Sequence, residues 1–190
     1  MYEAHDDPYI YPGTAVLRNR FDIRDKETLE ALETELTSAR AEEPLPIGAL
    51  NAAHYKAIHH HLFQDVYEWA GEIRTIRISK GDSHFCYPEY IDAELTKLFK
   101  WMAASDYLCG LDVDGFVEKA ASLLATLNVI HAFREGNGRT QLSFLLLVAD
   151  NAGHPLDFAN LDPAAMLSAM IKSFFGDEAP LMEILRSCIR

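Results

Sequence analysis

The chain has 190 residues, 49% of them apolar, with 17 basic and 29 acidic side chains for a formal net charge of −12. That is ample for one domain with a real core and too apolar for a disordered chain, while the acidic balance argues against a nucleic-acid binder, which carries a basic excess or patch. A nucleotide site stays open, because a few local donors outweigh a distant negative field.

No apolar run reaches membrane-spanning length, and the polar, acidic N-terminus has no signal-peptide pattern. Cys86, Cys109 and Cys188 are sparse and odd in number. They read as free, buried thiols of a reducing compartment, without metal or redox spacing.

In chain order, residues 1–22 read as an extended, aromatic-rich arm. Asp25 is placed to cap a helix running to about Ala41, with Leu29, Leu32 and Leu36 on one face. Pro44-Leu45-Pro46 ends it. A second helix is predicted over 51–63, with Tyr55, Ile58 and Leu62 inward. Its His59-His60-His61 tract does not read as a metal site, because successive helical residues point about 100° apart; it reads as partly exposed helix surface. Ile73 to Ile78 alternates and is rich in β-branched residues, then meets Lys80-Gly81-Asp82 and a second short run, Ser83 to Tyr87. This is a hairpin signal. Helices are then predicted over 90–104, over 114–130 with Asp114 as the cap, and over about 139–152, the last apolar nearly all round and hence central. Gly153 stops it, Asp162-Pro163 starts another helix and Pro180 a last one.

The densest information lies in His131-Ala-Phe-Arg-Glu-Gly-Asn-Gly-Arg139. Glycines just before a helix leave its first N–H groups bare at the positive end of the dipole, a cradle for phosphate. Arg139 adds a planar cationic fork. Glu135 is the carboxylate that a Mg²⁺ held mainly by phosphates requires. His131 is a candidate proton acceptor. Singly, each residue has a bland reading, as a helix-end histidine or a Gly-Asn-Gly turn; jointly, at fixed spacing before an apolar helix, they point to a site.

The run resembles the signature of the Fic (filamentation induced by cAMP) family, His-x-Phe-x-(Asp/Glu)-Gly-Asn-Gly-Arg-x-x-Arg, at every specified position up to Arg139. The closing arginine falls on Leu142. Tyr11-Pro12-Gly13-Thr14, Leu17-Arg18-Asn19 and Asp65-Val66-Tyr67-Glu68-Trp69-Ala70-Gly71 look like the upstream part of bacterial Fic toxins and effectors, so the resemblance covers nearly the whole chain. It implies a single all-α Fic-like domain over 1–190, a bundle of about six to eight helices with a small β-hairpin flap (73–87) over the active-site motif (131–142).

The implied activity is protein adenylylation: AMP passes from ATP to a Ser, Thr or Tyr hydroxyl of a target protein. In that reaction His131 takes the hydroxyl proton, Glu135 holds Mg²⁺, and Gly136, Asn137, Gly138 and Arg139 bind the phosphates. Phe133 anchors the loop. The flap pairs with the target as an added strand, with Ile78, Lys80, His84 and Phe85 as candidate target or phosphate contacts. A family member of this kind is cytoplasmic in bacteria or translocated into a host cell, with no nucleic-acid or membrane partner.

Such enzymes are often silenced by a glutamate on a (Ser/Thr)-x-x-x-Glu-(Gly/Asn) helix. Ser38 to Glu43 comes closest here but ends wrongly, which suggests a separate small antitoxin-like inhibitory protein. Two readings of Leu142 stay open: a weaker hold on a triphosphate tail or preference for another nucleotide or phosphate ester, against one more core residue. Rival functions are phosphotransfer or another phosphate-ester transfer on the same fold, and a catalytically silent nucleotide-binding module. Gly138 favours nucleotidyl transfer, since lysine there accompanies phosphorylation in the family.

Overall fold

The computed structural model describes residues 7–190; the first six positions of the N-terminal arm lie outside the described residues. Among the described residues there are seven α-helices and one two-stranded antiparallel sheet: α1 (Lys26–Glu42), α2 (Ala52–Phe63), β1 (Ser79–Lys80), β2 (Ser83–His84), α3 (Pro88–Ala104), α4 (Val113–Ile130), α5 (Asn137–Ala152), α6 (Pro163–Phe174) and α7 (Ala179–Cys188).

Local chemistry sets most boundaries. Asp25 caps α1 by accepting from Thr28 N at 2.9 Å, and Asn51 caps α2 by accepting from His54 N at 2.9 Å. Pro88 and Pro163 occupy first-turn positions where a missing N–H costs nothing. Gly153 ends α5 at φ 80°, a left-handed position natural for glycine. Two boundaries differ from the sequence reading. The cap of α4 is Asp112, whose Oδ1 accepts from Gly115 N at 2.9 Å; Asp114 lies inside the first turn, where its charge suits the dipole. Helix α5 begins at Asn137 rather than near Arg139, because Gly136 itself serves as N-cap. Between α3 and α4 the chain turns through Asp106, Tyr107 and Leu108, all at positive φ, and buries Leu108.

The core is built around α4, which buries Phe116, Val117, Ala120, Ala121, Leu123, Leu124 and Leu127. It packs against α3, α5, α6 and α7, while α5 is also flanked by α2. Each fully buried Leu or Phe there contributes about 2 kcal/mol of transfer free energy. The two central helices meet end to end in sequence at 131–136, so the loop between them is mounted on the most buried part of the molecule. Among the described residues no helix is long and apolar enough to cross a membrane.

The hairpin is present but its paired portion is short, Ser79 with His84 and Lys80 with Ser83. The alternating run 73–78 is not part of the ladder. Its most buried side chains are Arg74 and Ile78, and in place of a second strand the main chain is held by Arg74 N–H donating to Ala132 O at 3.0 Å and by the Arg74 side chain donating to Ile76 O. Cys188 is buried, whereas Cys86 and Cys109 are only partly so, short of the burial expected for all three.

Candidate active site

Helix α4 ends in an arrangement that accounts for each carbonyl of its last turn, groups that an α-helix leaves without partners of its own. Leu127 O accepts from His131 N at 2.9 Å. Asn128 O lies 3.1 Å from His131 Nδ1. Val129 O accepts from Cys86 N of the flap at 3.0 Å. Ile130 O accepts from Arg74 Nη2 at 3.3 Å. A carbonyl can only accept, so Nδ1 of His131 carries the proton and Nε2 is the unprotonated nitrogen. His131 sits in the left-handed region, φ 48° and ψ 62°, which costs an L-residue about 1–2 kcal/mol.

The imidazole is 6% exposed because Phe85 of the flap stacks on it, centroids 3.8 Å apart, and Phe174 meets Phe85 edge-on. Burial, joined by the nearby charges of Arg74 and Lys80, pulls its pKa down to about 3 and keeps the ring neutral in the ligand-free protein.

The loop that follows is braced from beneath. Asn137 turns its side chain back onto the loop: Oδ1 accepts from Phe133 N at 3.0 Å and Nδ2 donates to Phe133 O at 2.8 Å. Its amide side chain is therefore a strut, and only its backbone N–H faces the helix start. His59 is fully buried rather than on the surface. Its Nδ1 accepts from Gly71 N at 2.7 Å, so Nε2 donates to Glu135 O at 3.0 Å. It is stacked between Phe133 (3.8 Å) and Phe63 (4.7 Å), and burial drives its pKa down to about 3. Gly136 takes φ 78° above Phe63; a Cβ there would lie 2.2 Å from Phe63 Cζ. Only glycine meets both conditions. Gly138, by contrast, is helical, and a Cβ would have nothing within 4 Å. Its small size leaves space for an approaching group, and of the two glycines only Gly136 takes a positive φ.

No side chain caps α5, and its first intrahelical bond is Thr140 N to Gly136 O at 3.1 Å. The amides of Asn137, Gly138 and Arg139 thus precede the ladder at the positive end of the dipole, an arrangement that favours an anion. Glu135 Oε1 accepts from Gly136 N at 2.9 Å. Burial and the neighbouring Glu33 carboxylate raise the Glu135 pKa. A carboxylate kept short of solvent beside a second one, at the mouth of a phosphate cradle, is a donor set suited to a hard divalent cation. Glu135 would hold Mg²⁺ there.

Arg139 lies over Phe63, 4.6 Å from ring centroid to guanidinium carbon, donates to Thr37 Oγ1 at 3.0 Å and pairs with Glu33 of α1. Glu33 also accepts from the Tyr67 hydroxyl. The carboxylate that α1 brings to the site is therefore Glu33. Ser38 and Glu42 are exposed at the far end of that helix, and Glu43 pairs with Arg40. A cavity of about 260 Å³ opens here, lined by Glu33, Tyr67, Lys80, Arg134 and Glu135 under the arm residues Val16 and Leu17. Arg134 forms a buried ion pair with Asp7 of that arm, Nη2 to Oδ2 at 2.7 Å.

Of the flap residues, Lys80 lines this cavity and His84 is exposed. Ile78 and Phe85 are turned inward, so their side chains serve the protein's own packing. Leu142 is half-buried and packed against the core. Arg74, His59, Glu33 and Asp7 are the site's supports that sequence patterns do not flag.

The Fic/DOC family pattern matches residues 49–149. A probable protein adenylyltransferase, y4lH of Sinorhizobium fredii, is 51% identical over 189 residues, covering 99% of this chain and 98% of that one. A probable protein adenylyltransferase Fic of Escherichia coli is 35% identical over 185 residues, covering 96% and 92%. Among solved structures, BepC, a VirB-translocated effector of Bartonella tribocorum with bound AMPPNP, superimposes with a TM-score of 0.86 at 28% identity, covering 96% of both chains. The family pattern spans α2 through most of α5 and takes in the whole loop just described, and the chain belongs to the Fic/DOC family.

Proposed function

We infer that the chain is a protein adenylyltransferase that moves AMP from ATP to a hydroxyl side chain of a target protein. The observation that carries the reading is the His131 tautomer, which leaves Nε2 as the unprotonated nitrogen on a loop that runs into the uncapped amides at the start of α5. The names of the y4lH and Fic relatives and the AMPPNP bound to BepC support it.

The target oxygen attacks the α-phosphorus as its proton passes to His131 Nε2. The bond from the α-phosphorus to the bridging oxygen breaks, and pyrophosphate leaves with that electron pair. The triphosphate's negative charge favours the imidazolium and lifts His131 from its depressed basicity as the reaction proceeds. Amides at the start of α5 and the Arg139 fork receive the charge that moves onto the leaving group, and Lys80 lines the cavity that Glu135 also lines. Glu135 would hold Mg²⁺, which when bound would neutralise charge on the phosphates.

The exposed edge of the short hairpin is the place for a target segment, with His84 at its rim. The chain acts in the bacterial cytoplasm or after translocation into a host cell; BepC is by its name a translocated effector. Glu33 already sits against Arg139, so a small inhibitory partner protein would work against that contact.

Incubation with lysate protein, Mg²⁺ and either α- or γ-labelled ATP tests the reading. Label from the α-position alone, lost in His131→Ala while ATP binding persists, is expected. Label only from the γ-position would mean phosphotransfer, and ATP binding without any label would mean a silent module.

A further inference from the structure

Arg74 is 1% exposed and lies 57 residues before His131, in a run whose alternation suggests an ordinary strand. Each nitrogen of its side chain goes to a different place. Nε donates to His131 O at 2.8 Å, Nη1 to Ile76 O at 2.6 Å, and Nη2 to Cys86 O at 2.6 Å as well as to Ile130 O. Its backbone N–H donates to Ala132 O at 3.0 Å. One planar fork therefore holds the end of α4, the histidine's own carbonyl, and the two limbs of the flap on either side of the hairpin. The positive charge lies at the negative end of the α4 dipole, which favours it there.

We propose that Arg74 is a positioning residue that joins the flap to His131, so that the base and the strand bearing its lid are set as one unit. The argument has three linked parts. His131 is held in a left-handed backbone conformation that is unfavourable for histidine, and the bond to its carbonyl is one of the contacts that over-determine it. Cys86, bonded through both its carbonyl and its N–H to this cluster, is adjacent to Phe85, whose ring stacks on the imidazole. A shift of the flap is thus a shift of the ring's ceiling. Lysine cannot replace the fork, because a single ammonium offers its donors from one point and not along three edges of a plane.

This rests on His131 being the base, and the test separates the two claims. In Arg74→Lys the rate of AMP incorporation from α-labelled ATP at saturating ATP should fall about 10²-fold, the scale of a misplacement near 1 Å. ATP affinity by calorimetry should stay at the wild-type value, because the α5 amides and Arg139 do not touch Arg74. Amide exchange at Cys86 and at His131 should accelerate together. A full rate in Arg74→Lys, or faster exchange at Cys86 with His131 unchanged, overturns the proposal. The exchange arm stands even if wild-type protein transfers no AMP, which would sink only the adenylylation reading. Should Arg74→Lys not fold, the wild-type protein decides: under mild denaturant the amides of Cys86 and His131 should open with the same denaturant dependence, and separate openings refute the coupling.

Discussion

Gly136 and Gly138 flank one asparagine yet should respond oppositely to the same methyl group. At Gly136, alanine meets a left-handed backbone worth about 1–2 kcal/mol against it. Its Cβ would also stand 2.2 and 2.4 Å from two ring atoms of Phe63. That ring cannot slide away, being stacked on His59 on one side and covered by the Arg139 guanidinium. Overpacking of this kind costs about 1–3 kcal/mol, so Gly136→Ala should lose about 2–5 kcal/mol. For a chain of this size each kcal/mol moves the melting point by about 2–4 °C, a drop of at least about 4 °C. At Gly138 the backbone is helical and nothing lies within 4 Å, so alanine should hold or raise stability by about 0.5–1 kcal/mol. The same methyl intrudes where phosphate would reach the α5 amides, and loss of such donors costs about 10²–10³ in turnover. Thermal unfolding followed by circular dichroism, with AMP incorporation from α-labelled ATP, reads both arms. A Gly138→Ala protein as active as wild type would remove phosphate from the head of α5, and a Gly136→Ala protein with an unchanged melting point would refute the steric reasoning.

Three further outcomes can be measured. Glu33→Gln should tighten ATP binding by about fivefold in calorimetry, because Arg139 no longer exchanges a carboxylate for phosphate at a cost of about 1 kcal/mol; weaker binding would show that Glu33 aims Arg139 instead of competing for it. His59 and His131 are both buried and neutral, each with its pKa pulled down to about 3. The unfolded chain takes up those protons near pH 6.5, so their stabilisation is complete above that pH and declines by about 1.4 kcal/mol per unit per histidine as pH falls toward 3. Denaturant midpoints that stay flat between pH 6.5 and 5 would contradict this burial. Leu142→Arg places a second guanidinium on the Arg139 face of α5 and should improve affinity for ATP more than for AMP in the same titration; equal affinities would leave Leu142 as packing alone.

What could be read in the sequence was what is encoded locally. Asp25, Asn51 and the Asp162-Pro163 pair each reach an N–H two or three residues away, so their helices are legible from one window. Part of the loop from His131 to Arg139 is legible in the same way, since the Asn137 strut, the Glu135 contact to Gly136 N and the α5 amides come from within the motif. The Asp112 cap was missed for Asp114 because both acids suit a helix start and only geometry separates them. The supports were illegible for a different reason. Asp7, Glu33, His59 and Arg74 meet the loop across 127, 106, 76 and 57 residues, and each sits in an ordinary local pattern. His59 hides in a run of three histidines, of which the helix turns only one wholly inward. Arg74 shares the parity of Ile76 and Ile78 and so falls on the inward face of the alternation, where a local pattern gives no reason for a charge; the run has no partner strand, and the guanidinium is held instead at the end of α4.

That same dispersion has a bearing on synthesis. A ribosome that has released the first hundred residues has delivered the braces but not the loop they steady, and contacts so distant in sequence form late. A chain made only that far holds Asp7, Glu33, His59 and Arg74 without His131, Glu135 or Arg139, so transfer of AMP waits on the later part of the sequence.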